Sequence, residues 1–98
     1  MMYAIAIIRY RRALDEVMTV TDEHRAYLKT LHEQGILLAS GPLDPRSGGA
    51  LLLRVADGNV QEALDRVRDG DPYVQKGMAQ YELLPWKVGL GKETLDRV

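Results

Sequence analysis

An α+β fold in the element order βαββαβ, with one four-stranded antiparallel sheet backed by two helices, is what this sequence predicts, and three observations carry that prediction. Two strand segments, Met2 to Arg9 and Ala50 to Val55, are apolar on both faces apart from Arg54 and the terminal Arg9, as strands in the middle of a sheet must be. Two helical segments, one starting near Thr21 and one at Asn59, each fall between a pair of strand segments. Pro and Gly lie between these segments as punctuation, with no internal repeat, low-complexity tract or linker.

Taken in order, the first strand places Tyr3, Ile5 and Ile7 on one face and Ala4, Ala6 and Ile8 on the other. A basic turn, Tyr10-Arg11-Arg12, leaves it. The first helix begins near Thr21, a suitable N-cap, with Asp22 and Glu23 well placed against the helix dipole, and it stops at Gly35. Ile36 to Ser40 reads as the second strand, ended by Gly41-Pro42, and Asp44-Pro45-Arg46-Ser47-Gly48-Gly49 turns the chain into the third, Ala50 to Val55. Asn59 with Glu62 three residues on resembles a capping box, and Val60, Ala63, Leu64 and Val67 form the buried stripe of the second helix. Asp71-Pro72 breaks the chain, a short turn or helical piece runs to Lys76, and Met78 to Leu84 is the fourth strand before Pro85-Trp86. The tail from Gly89 to Val98 is polar and carries no element signal; a flexible or dimer-contacting role is expected of it.

This order is the split βαβ arrangement of ferredoxin-like folds, occupying residues 1–98 as a single domain. Right-handed crossovers place the first and third strands in the middle, the two that are apolar on both faces. Two helices cover one face of the sheet, so a second copy packed sheet to sheet is the expected cover for the other, giving a homodimer or a higher even homo-oligomer.

Composition narrows the function. The 98 residues carry 13 Lys plus Arg against 14 Asp plus Glu, a formal charge of -1, with the basic residues scattered among the acidic ones. This is not the footprint of a nucleic-acid binder. An RNA-recognition module shares the topology but stacks bases on central-strand aromatics, and Tyr3 is the one aromatic residue in those two strands. The lack of cysteine excludes disulfide scaffolds, thiolate metal sites and thiol nucleophiles, and fits a cytoplasmic protein. The apolar run Met1 to Ile8 is too short to cross a bilayer and has no basic leader, so it reads as a strand, and no membrane association is expected.

The topology gathers particular residues at one end of the sheet: Arg9 and Tyr10, the first turn of the first helix, Ser40-Gly41-Pro42, and Asp71-Pro72-Tyr73. At about 100° per residue, His24 shares a helix face with Tyr27, Leu28 and Leu31 and points inward at that end. A histidine there can be a packed core residue, and Asp71 can be simply the cap of a turn begun by Pro72. Joined, they make a His oriented by an Asp, the common construction of a general base or acid near neutral pH. Ser40 lacks the preceding glycine of a nucleophile elbow, so the Ser40-Gly41-Pro42 strand end reads as backbone that approaches a ligand. Arg9 is the candidate for greeting a carboxylate or phenolate, and Tyr73 for lining the site. His32 lies about 80° around the helix from His24, so the two do not form a metal clamp, and neither a metal nor another cofactor is expected.

The run from His24 to Leu43, with the pattern H-x-x-x-L-x-x-L-x-x-x-G and a following G-P, resembles the signature of the YciI-like (YCII-related) family, as does Asp69-Gly70-Asp71-Pro72-Tyr73-Val74-Gln75-Lys76-Gly77 followed by Pro85-Trp86. The resemblance spans nearly the whole chain. It implies a dimeric α+β barrel of ferredoxin-like subunits, with an active-site His and Asp that map onto His24 and Asp71. Its assigned members point to small-ring chemistry such as dehydrochlorination of chlorinated hydroxyquinols, and the wider superfamily includes muconolactone isomerases and cofactor-free monooxygenases. The chain departs from the pattern just before the His: many members carry an Arg there, and this sequence has Thr21, Asp22 and Glu23, leaving Arg25 or Arg9 as substitutes. The functional expectation is a small cofactor-free lyase, isomerase or hydrolase acting on a hydroxylated or carboxylated ring compound; the alternative is a non-catalytic domain that binds such a ligand.

Overall fold

β1 (Met2–Tyr10) lies inside the sheet, as its two apolar faces require. The computed structural model describes every residue from Met1 to Val98. With β2 (Leu37–Pro42), β3 (Gly48–Val55) and β4 (Ala79–Trp86), the strand order is β2-β3-β1-β4 and every neighbouring pair is antiparallel. Tyr10 adds one residue to the expected first strand. The third starts two residues early, at Gly48, where the two backbones approach so closely that a Cβ would sit 1.8 Å from the Ile8 carbonyl oxygen. Only glycine fits that position. β2 starts at Leu37 and continues through Gly41 and Pro42, which pair with Ala50 and Gly49.

Two helices cover one face. α2 (Thr21–Glu33) lays Leu28 and Leu31, and α3 (Val60–Asp69) lays Leu64 and Val67, onto Ala4, Ala6, Ile8, Leu51, Leu53 and Val55. Each buried Leu or Val contributes about 1.5–3 kcal/mol relative to exposure. α2 ends as its glycine predicts: Gly35 has φ +79°, its N–H donates to His32 O, and the Ile36 N–H reaches back to Leu31 O, closing the last turn.

The start of α2 differs from the expectation. A short helix, α1 (Leu14–Met18), precedes it, Val20 holds the N-cap position, and Thr21 is already inside the helix. Instead of capping, the Thr21 hydroxyl faces Val17 O at 3.3 Å and the Tyr73 hydroxyl at 2.8 Å. α1 buries only Val17, and a single turn with one inward side chain leaves no periodicity to read. The Asn59 capping box also does not form. Asn59 sits at the N-cap position of α3 in the left-handed region, φ 35°, without a side-chain cap bond, and Glu62 pairs with Arg66 at 3.1 Å.

α4 (Pro72–Gln75) supplies the expected short helical piece. β4 runs past Leu84 through Pro85 and Trp86, which an edge strand permits because the missing N–H of Pro85 interrupts no further ladder. The polar tail forms α5 (Lys92–Asp96), which lies on the sheet face away from α2 and α3. Tyr3 Oη donates to Asp96 Oδ1 at 2.6 Å and Arg54 Nη1 donates to Leu95 O at 3.3 Å. These contacts bury Tyr3, while Ile5, Ile7 and Leu52 on the same face stay half-buried and Leu84 and Trp86 stay exposed. No helix is long and apolar enough to cross a membrane.

Candidate functional site

Asp71 is fixed first by its own turn. Pro72 presets the backbone of the first helical residue, and Asp71 Oδ1 accepts the Tyr73 N–H at 2.9 Å as the N-cap of α4. α2 then brings His24, in its first turn, against this cap. His24 Nδ1 lies 2.9 Å from both Oδ1 and Oδ2 of Asp71, and Tyr81 of β4 donates its hydroxyl to Oδ2. Asp71 is fully buried and His24 is 9% exposed. The imidazole also stacks on the Tyr73 ring, with centroids 3.9 Å apart and planes at 12°. An in-plane partner and a facial one together fix the ring's orientation.

The hydrogen-bond pattern assigns the tautomer. The carboxylate receives the Tyr73 amide and the Tyr81 hydroxyl, so it acts toward Nδ1 as an acceptor and Nδ1 carries the proton. The lone pair of neutral His24 is then on Nε2, which has no protein partner. Should Nε2 take up a proton, the resulting imidazolium lies beside a buried counter-charge.

His24 opens onto a cleft of about 230 Å³ between α2 and the β2–β3 hairpin. Of the residues singled out from sequence, His24, Ser40, Gly41, Pro42 and Tyr73 all line it. Asp71 is behind His24 rather than on the wall. Arg9 is not brought to the cleft: it shares β1 register with Ile5 and Ile7, which face away from α2 and α3, and it pairs with Glu82 at 2.9 Å on that far side. Arg25 lines the cleft from α2, while Thr21 is turned onto Tyr73.

Sequence reasoning missed two contributors. Arg46, on the hairpin loop, lines the cleft and donates from Nε to the Tyr10 hydroxyl at 3.2 Å. Its signal was available, since a loop joining β2 to β3 must sit at the Ser40 end. Tyr81 was also findable: it alternates inward with Ala79 and Leu83 and pairs with Ile8, which aims it at the layer containing Asp71. No group of three His, Asp or Glu side chains comes together anywhere in the chain in a way that could hold a metal ion.

Three tyrosines around the pair hold their protons more firmly than usual. Burial, then the Asp71 charge and hydrogen bond, pushes Tyr81 far up; burial raises Tyr73 against the opposing Thr21 hydrogen bond; and burial with the Asp71 and Asp69 charges pushes Tyr27 up to about 12. Near neutral pH all three are neutral donors. In the unfolded chain they ionise near the ordinary value of 10.0, so the unfolded state gives up its protons first. The stability tied to them is complete below about pH 10 and falls as pH rises toward 12. Denaturant midpoints measured across that window should show a steep alkaline loss, shallower in Tyr27→Phe; identical slopes would remove Tyr27 from the effect.

With this geometry in place, the chain can be set beside known proteins. The YCII-related domain matches residues 1–87. Protein YciI of Escherichia coli and that of Shigella flexneri are each 32% identical to it over 88 residues, covering 83% of this chain and 90% of theirs. Among solved structures, the 5-chloro-2-hydroxyhydroquinone dehydrochlorinase TftG from Burkholderia phenoliruptrix, in complex with 2,5-dihydroxybenzoquinone, superposes with a TM-score of 0.70 over 91% of this chain and 96% of that one, at 20% identity. That likeness shows the fold, an α+β sandwich of the kind that builds α+β barrels. The chain belongs to the YCII-related domain family.

Proposed function

We propose that this protein is a cofactor-free enzyme that moves a proton on a small hydroxylated or carboxylated ring compound, with His24 as general acid and base and Asp71 holding its orientation and balancing its charge. The observation that carries this reading is the His24 ring, locked by Asp71 on Nδ1 and by Tyr73 on its face, with Nε2 left free beside a cleft. A cleft of about 230 Å³ lies below the roughly 300–1,000 Å³ of drug-sized pockets and suits a single ring. Nε2 takes a proton from a ring hydroxyl, the electron pair moves through the ring to carbon, and the imidazolium delivers the proton to that carbon, giving the keto tautomer. Where that carbon carries chlorine, loss of a second hydroxyl proton to Nε2 re-forms the ring double bond as the C–Cl bond breaks, so chloride and one proton leave as HCl. Isomerisation and elimination share this step, and the solved relative's named reaction, a dehydrochlorination, is an elimination of that type. Ser40, Gly41 and Pro42 wall the cleft opposite His24 and orient the ring.

The test is a panel of hydroxyquinols, chlorinated hydroxyquinols and aromatic acids, followed for product and for ligand-induced thermal stabilisation. Turnover of at least one member is expected. Stabilisation without product from any would make the protein a binding domain.

The working unit of this reading is a homodimer. α5 covers the Tyr3 end of the far sheet face and leaves Ile5, Ile7, Leu52 and Leu84 incompletely covered, a patch that a second sheet would bury. Native mass measurement should show an even oligomer at micromolar concentration; a stable monomer would sink it.

A further inference from the structure

The cleft is cationic, and its charge has no internal partner. Arg25 and Arg46 both line it, and no Asp or Glu does. Elsewhere Arg9, Arg66 and Arg68 are committed to carboxylates at 2.9, 3.1 and 3.2 Å, but Arg46 forms no ion pair. Its Nε donates to the Tyr10 hydroxyl at 3.2 Å and the Tyr73 hydroxyl lies within its reach, which fixes the guanidinium stem and leaves the terminal nitrogens without a carboxylate partner.

The loop that carries Arg46 is itself tied down. Ser47 N–H donates to Pro45 O at 2.8 Å, Leu43 N–H to Gly48 O at 2.9 Å, and Tyr10 N–H to Ser47 O at 3.1 Å, joining the hairpin to β1. From Tyr10 the contacts continue inward. Its ring meets Tyr73 edge-on, with centroids 5.9 Å apart and planes at 80°, and Tyr73 stacks on His24. A continuous chain of contacts therefore sets the position of Arg46 relative to the proton-transfer group.

We infer that Arg46 is the anion anchor of this cleft, that its terminal guanidinium nitrogens bind the negatively charged oxygen of a phenolate, enolate or carboxylate on the ring, and that the protein selects anionic rings over neutral ones of the same size. The inference rests on the reading of this cleft as the substrate site. A guanidinium suits the role because its planar fork gives two parallel N–H donors to an anionic oxygen pair and stays charged at every working pH. Tyr10 is a positioning residue that acts through Arg46. Arg25 is exposed on α2 without a hydrogen bond to hold it, so it adds general attraction rather than a fixed contact.

The experiment is a binding titration with two probes, 2,5-dihydroxybenzoquinone, an anion at neutral pH, and hydroquinone, a neutral ring of similar size. Wild-type protein should prefer the anion, with an affinity that falls as salt is raised. Arg46→Gln should weaken anion binding by about ten- to a hundredfold and leave hydroquinone binding unchanged, erasing the preference. Arg46→Lys should recover part of it, Tyr10→Phe should reduce the anion preference by less than Arg46→Gln does, and Arg25→Gln should have the smallest effect. Because Arg46 is on a surface loop and outside the core, unchanged melting of each variant checks that the fold is intact. Absence of any anion preference in the wild type, or Arg46→Gln binding the anion as tightly as the wild type, overturns the inference. The two readings separate cleanly. An Arg46-dependent preference without turnover of any panel compound keeps the anchor and removes the catalytic role, whereas His24-dependent turnover that ignores Arg46 does the reverse.

Discussion

Replacing His24 with alanine is expected to lower turnover of any compound the protein converts by about a hundred- to ten-thousandfold, the usual worth of a positioned general acid or base. The reason is geometric. Nε2 is the basic atom that the cleft can address, and the other lining side chains with hydroxyls, Tyr10, Thr21, Ser40 and Tyr73, include no second imidazole or carboxylate: the Tyr10 hydroxyl is taken by Arg46, the Thr21 hydroxyl meets that of Tyr73, and burial pushes the Tyr73 hydroxyl up, so it keeps its proton near neutral pH. The fold should survive, since the imidazole is at the edge of the core with Leu28 and Leu31 packed behind it. The variant does leave the buried Asp71 carboxylate without its cation-capable partner, so some loss of stability is expected alongside. His24→Gln is the companion variant, polar and of similar reach but unable to exchange a proton. Circular dichroism and initial rates on the same samples decide the matter: a folded His24→Ala protein with wild-type rates would remove His24 from the mechanism.

Asp71→Ala is expected to carry the largest stability cost in the chain, about 3–5 kcal/mol. Asp71 is fully buried, and its two oxygens meet His24 Nδ1, the Tyr73 N–H and the Tyr81 hydroxyl at once. Truncation strands three donors away from water and removes the cap of α4, and a buried donor left unpaired costs about 1–3 kcal/mol by itself. Asp71→Asn keeps the shape and separates structure from chemistry. Its carbonyl oxygen still accepts, so the fold should hold to within about 1–3 kcal/mol of wild type, yet the imidazolium loses its counter-charge and the amide N–H₂ group favours the tautomer with the proton on Nε2. That tautomer has no base facing the cleft. Urea unfolding of both variants and the rate of Asp71→Asn give the answer, and an alanine variant as stable as wild type would show that the buried network contributes nothing.

Much of this arrangement was legible in the residues. The two apolar faces of β1 and β3 placed both strands in the middle, and Gly35 ended α2 as expected. The inward phase of His24 and the Asp71-Pro72 break lay far apart in sequence, yet the crossover rule alone put them at one end of the sheet. Asp71 turned out to fill both roles considered for it, cap and histidine partner, because a carboxylate has enough lone pairs for each. What was not legible depends on backbone placed by distant contacts. Thr21 reads as a cap in isolation and loses that role because α1 feeds straight into α2 and the Tyr73 hydroxyl is waiting inside. The polar tail carries no periodic signal, yet α5 is held on the sheet by Tyr3 and Arg54, residues roughly ninety and forty positions away.

Arg9 and Arg46 mark where the sequence stops and the tertiary structure begins. The apolar pattern of a strand is a local property, so the sequence by itself determined the sheet order and the His24–Asp71 meeting point, and left open which face of β1 the helices cover. It even held the fact that Arg9 shares a face with Ile5 and Ile7. Which cation reaches the cleft is not local. It depends on how the β2–β3 loop folds back on β1 and where Tyr10 stands to receive Arg46, and those positions are set by hydrogen bonds between segments more than thirty residues apart. Only the folded chain brings that loop to the cleft onto which His24 opens, and with it Arg46, the cation there that a hydrogen bond holds in place.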